Sequence, residues 1–360
     1  KECDLTKIKL SALACAILVG GGQLVAEDSN NIIDLRDYWG KSVNINKETK
    51  NIIGMELQNA IINVDNNGTL ISSQDRSIFN ATSINIKKNS KAIFETSLTI
   101  NDSYLHIINN STADFNDALN ILYGDSLWPV IEKDNNFSGG ALSLDNNSTL
   151  DIKGEAIFNK TSALINHGST AKIYDLLDNT ESKIYVVNDS QLEIDKGAFF
   201  RGTHLIIKDD SNTTINGKLA VENSGTIEFV NGEYVVNDGG TKIDKSNLKV
   251  VGEANFNNSV AELNNSSNAN FEDKLTLINS AMLLKNSSTL NVGGVADFTN
   301  SALIIKDDSN ATIKGALKAV NAASASGGLV VYDGSIKIAK SNLKVVGEAN
   351  FNNYVAELNN

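Results

Sequence analysis

The sequence predicts an all-β fold, a right-handed parallel β-helix with rungs of about 21 residues. One observation is an internal copy, because residues 245–265 recur as residues 340–360 with Ser259 changed to Tyr354 as the single difference. Another is a regular step of 21 residues between serines that open similar short motifs. These serines fall into two sets, Ser148, Ser169, Ser190 and Ser211, and then Ser246, Ser267, Ser288 and Ser309. Such a fixed period is typical of stacked units that bury surface against their neighbours.

Residues within a rung alternate between apolar and polar, as they do in a β-strand with one buried face. The rung that opens at Ser148 carries apolar Leu150, Ile152, Ala156 and Phe158 at this spacing. A helix would instead need apolar residues at i, i+3, i+4 and i+7. Turn residues recur about every seven residues, which predicts three short strands per rung around a narrow apolar core.

Glycine and asparagine are frequent at the predicted corners, and we attribute this to a need for positive φ there. Asparagine side chains at equivalent corners are also expected to hydrogen-bond from one rung to the next. Pro129 is the single proline, as expected when nearly every backbone N–H is needed in a ladder.

The rungs are grouped into longer blocks, since the motif at Ser148 returns after 98 residues at Ser246 and after 95 more at Ser341. We therefore expect a repeat array over residues 61–360, preceded by a cap or irregular first rungs over residues 27–60. Insertions that interrupt the period are predicted near residues 112–147, 217–245 and 315–340.

Residues 1–26 have the layout of a secretory signal peptide. Three lysines precede an apolar run at residues 10–25, and Ala26 is followed by two acidic residues. We expect cleavage after Ala26, export through the inner membrane, and a final location at the cell surface or outer membrane or in the medium. The alternatives are a membrane anchor and a lipoprotein modified at Cys15.

The net charge and the positions of the cysteines argue against some classes of binding partner and against a disulfide framework. Both cysteines, Cys3 and Cys15, lie in the leader, so the rest of the chain has no disulfide framework. The formal net charge of −12 argues against DNA, RNA or anionic lipid as a partner. No motif indicates a cofactor or a metal site.

The leader, the cysteine-free acidic composition and the rung at Ser148 together resemble the pertactin-like passenger of bacterial autotransporters. The resemblance covers about residues 60–360. It implies a parallel β-helix presented outside the cell and an outer-membrane β-barrel that carries it there. No segment of the printed sequence has the pattern of such a barrel, so we expect the barrel downstream and the chain to be part of a longer protein.

The insertions are the expected place for ligand contact, since loops project from the rigid scaffold. The first one concentrates Tyr123, Trp128 and Phe137 in a chain that is otherwise poor in aromatics, and these residues form a candidate interaction loop. The alternative is a loop that packs its own aromatics on the rod. The second and third insertions contain Asp238-Gly239 and Asp333-Gly334, each of which indicates either a hairpin turn or an ordinary corner.

Enzyme signatures are weak, and we predict that the chain is not an enzyme. Residues 124–127 match the opening of the GDSL esterase motif, with Ser126 as the nucleophile, but none of the three histidines has Asp three residues before it. Asp209-Asp210 and Asp307-Asp308 are acidic pairs of the kind that a pectate-lyase-like calcium site would use. They lie in copied corners, which favours solvated turns.

The bacterial glycosylation pattern, acidic residue-x-Asn-x-Ser/Thr, occurs several times. The candidate acceptors are Asn67, Asn136, Asn147, Asn212, Asn264 and Asn310. Asparagine-rich corners also generate such strings without any role in modification.

The sequence leaves two candidate functions open. In the first, the chain is a surface-exposed or secreted passenger that acts as an adhesin and binds a protein or glycan on host or bacterial cells through repeated weak contacts. In the second, it is a secreted β-helix enzyme that acts on polysaccharide.

Overall fold

The computed structural model describes residues 24–25, 32–34, 40–53, 56–73, 77–122, 130–131, 137–138, 142–230, 233–237, 240–320, 335–339, 341–352 and 355–359. All regular structure within these ranges is β-strand. They accordingly contain no helix of the length and apolarity that a membrane crossing needs. Residues 1–23 of the predicted signal peptide lie outside the described residues, while Leu24 and Val25 pair with Val43 and Asn44.

Three parallel sheets run the length of the molecule, with 15, 14 and 13 strands. The chain visits them in turn, and within a block each strand pairs with the strand about 21 residues further on, as Thr149 pairs with Thr170 and Thr170 with Gln191. Strands about 4.8 Å apart make the 15-stranded sheet about 70 Å long. The predicted all-β parallel solenoid with rungs of about 21 residues is thus confirmed. Its right-handed sense stays a prediction.

The strands of the three sheets have the following bounds. Sheet 1 contains Leu24–Val25, Ser42–Asn46, Ile61–Asp65, Ser83–Lys87, Tyr104–Ile108, Leu142–Asp145, Ser162–Ile165, Lys183–Val186, His204–Lys208, Gly240–Asp244, Val260–Asn264, Ala281–Leu284, Ala302–Lys306, Ser335–Ala339 and Val355–Asn359. Sheet 2 contains Ile32–Asp34, Thr49–Ile53, Thr69–Ser72, Lys91–Phe94, Thr112–Phe115, Thr149–Ile152, Thr170–Ile173, Gln191–Ile194, Asn212–Ile215, Asn247–Val250, Asn268–Phe271, Thr289–Val292, Asn310–Ile313 and Asn342–Val345. Sheet 3 contains Glu56–Gln58, Ser77–Asn80, Leu98–Asn101, Leu119–Leu122, Ala156–Asn159, Leu176–Thr180, Gly197–Arg201, Lys218–Glu222, Ala254–Asn257, Leu275–Ile278, Ala296–Thr299, Leu317–Val320 and Ala349–Asn352.

The core consists of columns of side chains that point inward from equivalent positions of successive rungs. Leu150 and Ile152 of sheet 2 and Ala156 and Phe158 of sheet 3 are each at most 3% exposed, as the alternation predicts. Burial of every second residue along each strand places the apolar layer of one rung directly on the next. Each rung is therefore stabilised mainly by its two neighbours.

The serines that reveal the period are buried at the corner between sheets 1 and 2. The two residues before Ser211, Asp209 and Asp210, have φ of 56° and 63°, so the chain turns sharply there. The backbone N–H of Ser190 then donates to Oγ of Ser211 at 3.1 Å, and that of Ser211 to Oγ of Ser246 at 3.2 Å. Serine recurs because its short hydroxyl accepts a buried N–H that the turn leaves without a strand partner.

Glycines at the corner between sheets 2 and 3 have a different role from the one we predicted. Gly154 and Gly252 do not have positive φ. A Cβ on Gly252 would instead lie 2.7 Å from the carbonyl oxygen of Gly217 in the preceding rung. Close approach of neighbouring backbones excludes a side chain there. The attribution of these glycines to positive φ was wrong.

Two antiparallel hairpins leave the solenoid. Val130–Ile131 pairs with Phe137–Ser138 in the first insertion, and Thr226–Val230 pairs with Glu233–Asn237 in the second. Residues 231–232 and 238–239 lie outside the described residues. Whether Asp238-Gly239 forms a hairpin turn or an ordinary corner stays a prediction. The third insertion, with Asp333-Gly334, lies mostly outside the described residues, at 321–334.

Candidate functional site

The candidate interaction loop falls largely outside the described part of the chain. Tyr123, Trp128 and the GDSL residue Ser126 are not among the described residues. Phe137 begins the two-residue strand that pairs with Val130–Ile131, with Phe137 opposite Ile131. A role for these aromatics in ligand contact stays a prediction.

The second insertion packs against the rod. Ile227 and Val236, which face each other across the hairpin, are 5% and 7% exposed. They belong to one buried apolar cluster with outward-facing residues of sheet 1, namely Val260, Ala281, Leu283, Ala302 and Ile304. Lys242 Nζ also donates to the carbonyl oxygen of Val236 at 2.9 Å. The hairpin thus covers the outer face of sheet 1 over three rungs.

The candidate glycosylation residues are distributed along the solenoid and do not form one site. Asn67 and Asn147 are exposed corner residues with φ of 63° and 58°, whereas Asn264 is half-buried at the end of a sheet 1 strand. Asn212 and Asn310 are exposed at the start of sheet 2 strands. Asn136 lies outside the described residues. Attachment of glycans at these positions stays a prediction.

Asparagine ladders join several of these residues from rung to rung, as expected. Oδ1 of Asn212 accepts from Asn247 Nδ2 at 2.8 Å, and Oδ1 of Asn310 accepts from Asn342 Nδ2 at 3.0 Å. In both pairs the accepting asparagine also donates from Nδ2 to a backbone carbonyl two residues earlier, Asn212 to Asp210 and Asn310 to Asp308.

The two acidic pairs occupy equivalent corners in successive blocks. Asp210 forms an ion pair with Lys245, Nζ to Oδ2 2.7 Å, and Asp307 lies 3.6 Å from Lys306 Nζ. Neither pair joins a group of three potential metal ligands within the described ranges.

The three histidines lie apart. His106 is on the outer face of sheet 1, where burial and the nearby Lys87 lower its pKa. His167 is at a corner with Nδ1 2.6 Å from Asp145 Oδ1, and His204 begins a sheet 1 strand.

A concave surface of about 540 Å³, here called the corner groove, lies where sheets 1 and 2 meet in the second block. Its lining residues are Lys245, Asn265, Ser266, Asn286, Ser287, Asp307 and Asp308. Backbone hydrogen bonds between rungs fix its floor, with Ser266 N–H donating to the Asn286 carbonyl and Ser287 N–H to the Asp307 carbonyl, both at 2.8 Å. The corner groove is therefore a shallow, open surface whose backbone is held by hydrogen bonds between rungs.

The charge of the corner groove is slightly negative. Lys245 is paired with Asp210, which lies outside the groove, and this hydrogen bond raises the pKa of Lys245. Asp307 has Lys306 nearby, but none of the described cations lies within ion-pair distance of the Asp308 carboxylate. The groove therefore favours neutral or cationic groups over anions.

Beside the corner groove, sheet 2 presents an uncharged surface that we call the polar plate. It consists of Asn268, Asn270, Thr289, Asn291, Asn310 and Thr312. Register places these residues in two columns over three rungs, with Asn268, Thr289 and Asn310 in the first column. Ala269, Leu290 and Ala311, which alternate with them, are at most 1% exposed, so the plate residues face outward.

Elsewhere, the same face of sheet 2 carries charge. Lys172 and Glu193 form a cross-rung pair at 3.1 Å, and Lys249 pairs at 2.9 Å with Glu272, which follows Phe271 in the first rung of the plate. Exposed Lys314 follows Ile313 in the third rung. The uncharged surface is therefore limited to two columns in three rungs, and charged side chains border it in the first and third of these rungs.

Sequence reasoning did not find the corner groove or the polar plate. Asparagine and threonine between apolar residues were taken only as the solvent face of a strand, which they are. The signal that could have found the plate is the loss of charge at both outward positions in three consecutive rungs. Comparisons of the chain with protein-family models, with curated proteins and with solved structures find no significant match.

Proposed function

We propose that the chain is an autotransporter-type passenger, exposed at the cell surface or secreted, that acts as an adhesin. The observation that carries the proposal is a parallel solenoid of 13 to 15 strands per sheet that repeats polar corners and faces along its length. Such a rod presents many similar contacts at fixed spacing, so weak individual contacts add up to useful avidity.

The partner in this proposal is a protein or glycan on a host or bacterial cell. The formal net charge of −12 disfavours nucleic acid and anionic lipid. The signal peptide layout of residues 1–26 supports export, and the resemblance to pertactin-like passengers supports transport through an outer-membrane barrel. The second candidate, a secreted enzyme acting on polysaccharide, is favoured only by the presence of Asp307 and Asp308 in a groove.

The test compares cell binding of the full chain with that of a chain lacking residues 246–340. This deletion removes 95 residues and joins Lys245 to Ser341, which restores the local sequence Lys-Ser-Asn-Leu. We expect binding to weaken in part, because the remaining block retains similar corners and faces. Binding that is unchanged, or a full chain that binds no cells, would contradict the adhesin function.

The same preparations are assayed for turnover of esters and acidic polysaccharides, and we expect none. Turnover that disappears with Ser126→Ala, or with loss of Asp209 and Asp210, would favour the enzyme instead.

A further inference from the structure

We infer that residues 123–141 of the first insertion lie across the outer face of sheet 1 and bury an apolar stripe in the rungs at residues 162–206, as the second hairpin does in the next block. The inference goes beyond the proposed function, because it states which face of the rod is closed to a ligand. It also decides between ligand contact and packing on the rod as the role of this insertion.

A stripe of outward-facing side chains on sheet 1 is buried in the first block. Leu164 and Tyr185 alternate with core residues of their strands, so both point away from the core, yet they are 1% and 7% exposed. With Val187 and the partly buried Ile206 they form an apolar cluster separate from the core. Burial also lowers the pKa of Lys183 and raises the pKa of Tyr185. A sheet face that is buried to this extent has another layer packed on it.

Neighbouring side chains of the same sheet do not account for this burial. Outward apolar residues of sheet 3, where the strand spacing is the same, keep more exposure, since Ile78 is 37% and Ile278 39% exposed. The described members of the buried cluster come from sheet 1 and the corner that follows it, and none comes from the second hairpin. The burial arises within a single chain, so the layer is another segment of that chain.

The internal repeat identifies this segment. The step of 98 residues between blocks places Tyr185 on Leu283 and Ile206 on Ile304. Leu283 and Ile304 are the outward residues of sheet 1 that pack with the second hairpin. The two stripes occupy equivalent places, and the second one is covered by the insertion that precedes it. The insertion that precedes the first stripe is residues 123–141.

The first insertion also leaves the solenoid at the same place as the second. It connects Leu119–Leu122 of sheet 3 to Leu142–Asp145 of sheet 1, and the second connects Lys218–Glu222 to Gly240–Asp244. Both contain an antiparallel pair of strands. In each block the stripe begins one rung after the strand on which the insertion ends. The first insertion is the longer of the two, so it can reach the three rungs that the second covers.

This arrangement divides the surface of the rod into a covered and an open part. All three insertions leave at the corner from sheet 3 to sheet 1, the third between Leu317–Val320 and Ser335–Ala339. Sheet 1 is then covered over three rungs in each of two blocks. Contacts with a cell-surface partner are accordingly expected on sheets 2 and 3.

Photocrosslinking in the full chain tests the inference. Tyr185, or in a second variant the half-buried Ile206, is replaced by p-benzoylphenylalanine, and crosslinked peptides are identified by mass spectrometry. We expect both positions to crosslink to residues 123–141 within one chain. The same analogue at Phe199, on the outer face of sheet 3, is the matched control and should not crosslink to that segment. Equal urea unfolding midpoints for the three variants check that the fold is retained.

A second measurement removes the cover. Residues 123–140 are replaced by Lys-Thr, the corner that the chain uses at residues 160–161. Hydroxyl-radical oxidation of Tyr185 should then rise several-fold, because its apolar layer is gone, while oxidation of Phe199 should stay the same. If the shortened chain does not fold, the crosslinks decide.

Three outcomes overturn the inference. They are crosslinks from position 185 or 206 only to other segments, crosslinks to a second copy of the chain, and oxidation of Tyr185 that does not rise in the folded, shortened chain. None of these measurements involves cell binding, so the inference and the proposed function fail separately.

Discussion

Replacing Phe256 by Asp is expected to unfold the solenoid locally and to lower its stability by about 4–5 kcal/mol. Phe256 is 1% exposed, lies between Val221 and Leu277 in its column, and meets the Phe271 ring edge-on at a centroid distance of 6.1 Å. The change removes a large apolar side chain and places a carboxylate where none of the neighbouring groups can pair with it.

Limited proteolysis and the urea unfolding midpoint measure this effect. The first cleavages of Phe256→Asp should fall in the rungs on either side of residue 256, since each rung is stabilised by its neighbours. Asn255→Asp is the control, because it adds the same charge one residue away on the outer surface, beside Lys218. Similar resistance of Phe256→Asp and Asn255→Asp would show that the core column is assigned wrongly.

Replacing Asn179 by Leu is expected to stabilise the chain by about 2–3 kcal/mol. Asn179 is fully buried in the phenylalanine column of sheet 3, between Phe158 and Phe200. Neither Nδ2 nor Oδ1 has a hydrogen-bond partner there. An apolar side chain removes the cost of two buried, unpaired polar groups and adds contacts to both rings.

The urea midpoint and amide hydrogen exchange of the rung at residues 162–180 report this change. The urea midpoint of Asn179→Leu should rise and its amide exchange should slow. Asn159→Leu, on the outer face of the same sheet, should leave both the midpoint and the exchange rates unchanged. A lower midpoint for Asn179→Leu would mean that the amide has a partner in the core that the leucine removes.

Core and corners could be predicted from the sequence because they depend on local pattern. Leu150 and Phe158 alternate with polar residues, and the serines recur at a fixed step, so both reveal the strand period directly. The three-strand rung follows from that pattern and from the spacing of turn residues.

Features that depend on contacts between rungs could not be predicted from the sequence in the same way. Gly252 is constrained by the carbonyl of Gly217, 35 residues earlier in the chain, which no local pattern records. The packing of Ile227 and Val236 on sheet 1 likewise joins an insertion to rungs that follow it. Asn179 looks like any polar residue in a strand until its register with Phe158 and Phe200 is known.

The stacking of 21-residue rungs in parallel register is tested most directly by disulfide trapping on sheet 2. With Cys3 and Cys15 replaced by serine, cysteines are introduced at Asn270 and Asn291, which are register partners in adjacent rungs. Adjacent strands about 4.8 Å apart are within disulfide range, whereas Asn270 and Thr312, two rungs apart at about 9.6 Å, are not. The solenoid predicts rapid oxidation of the 270/291 pair and none of the 270/312 pair. Equal oxidation of both pairs, or of neither, would contradict it.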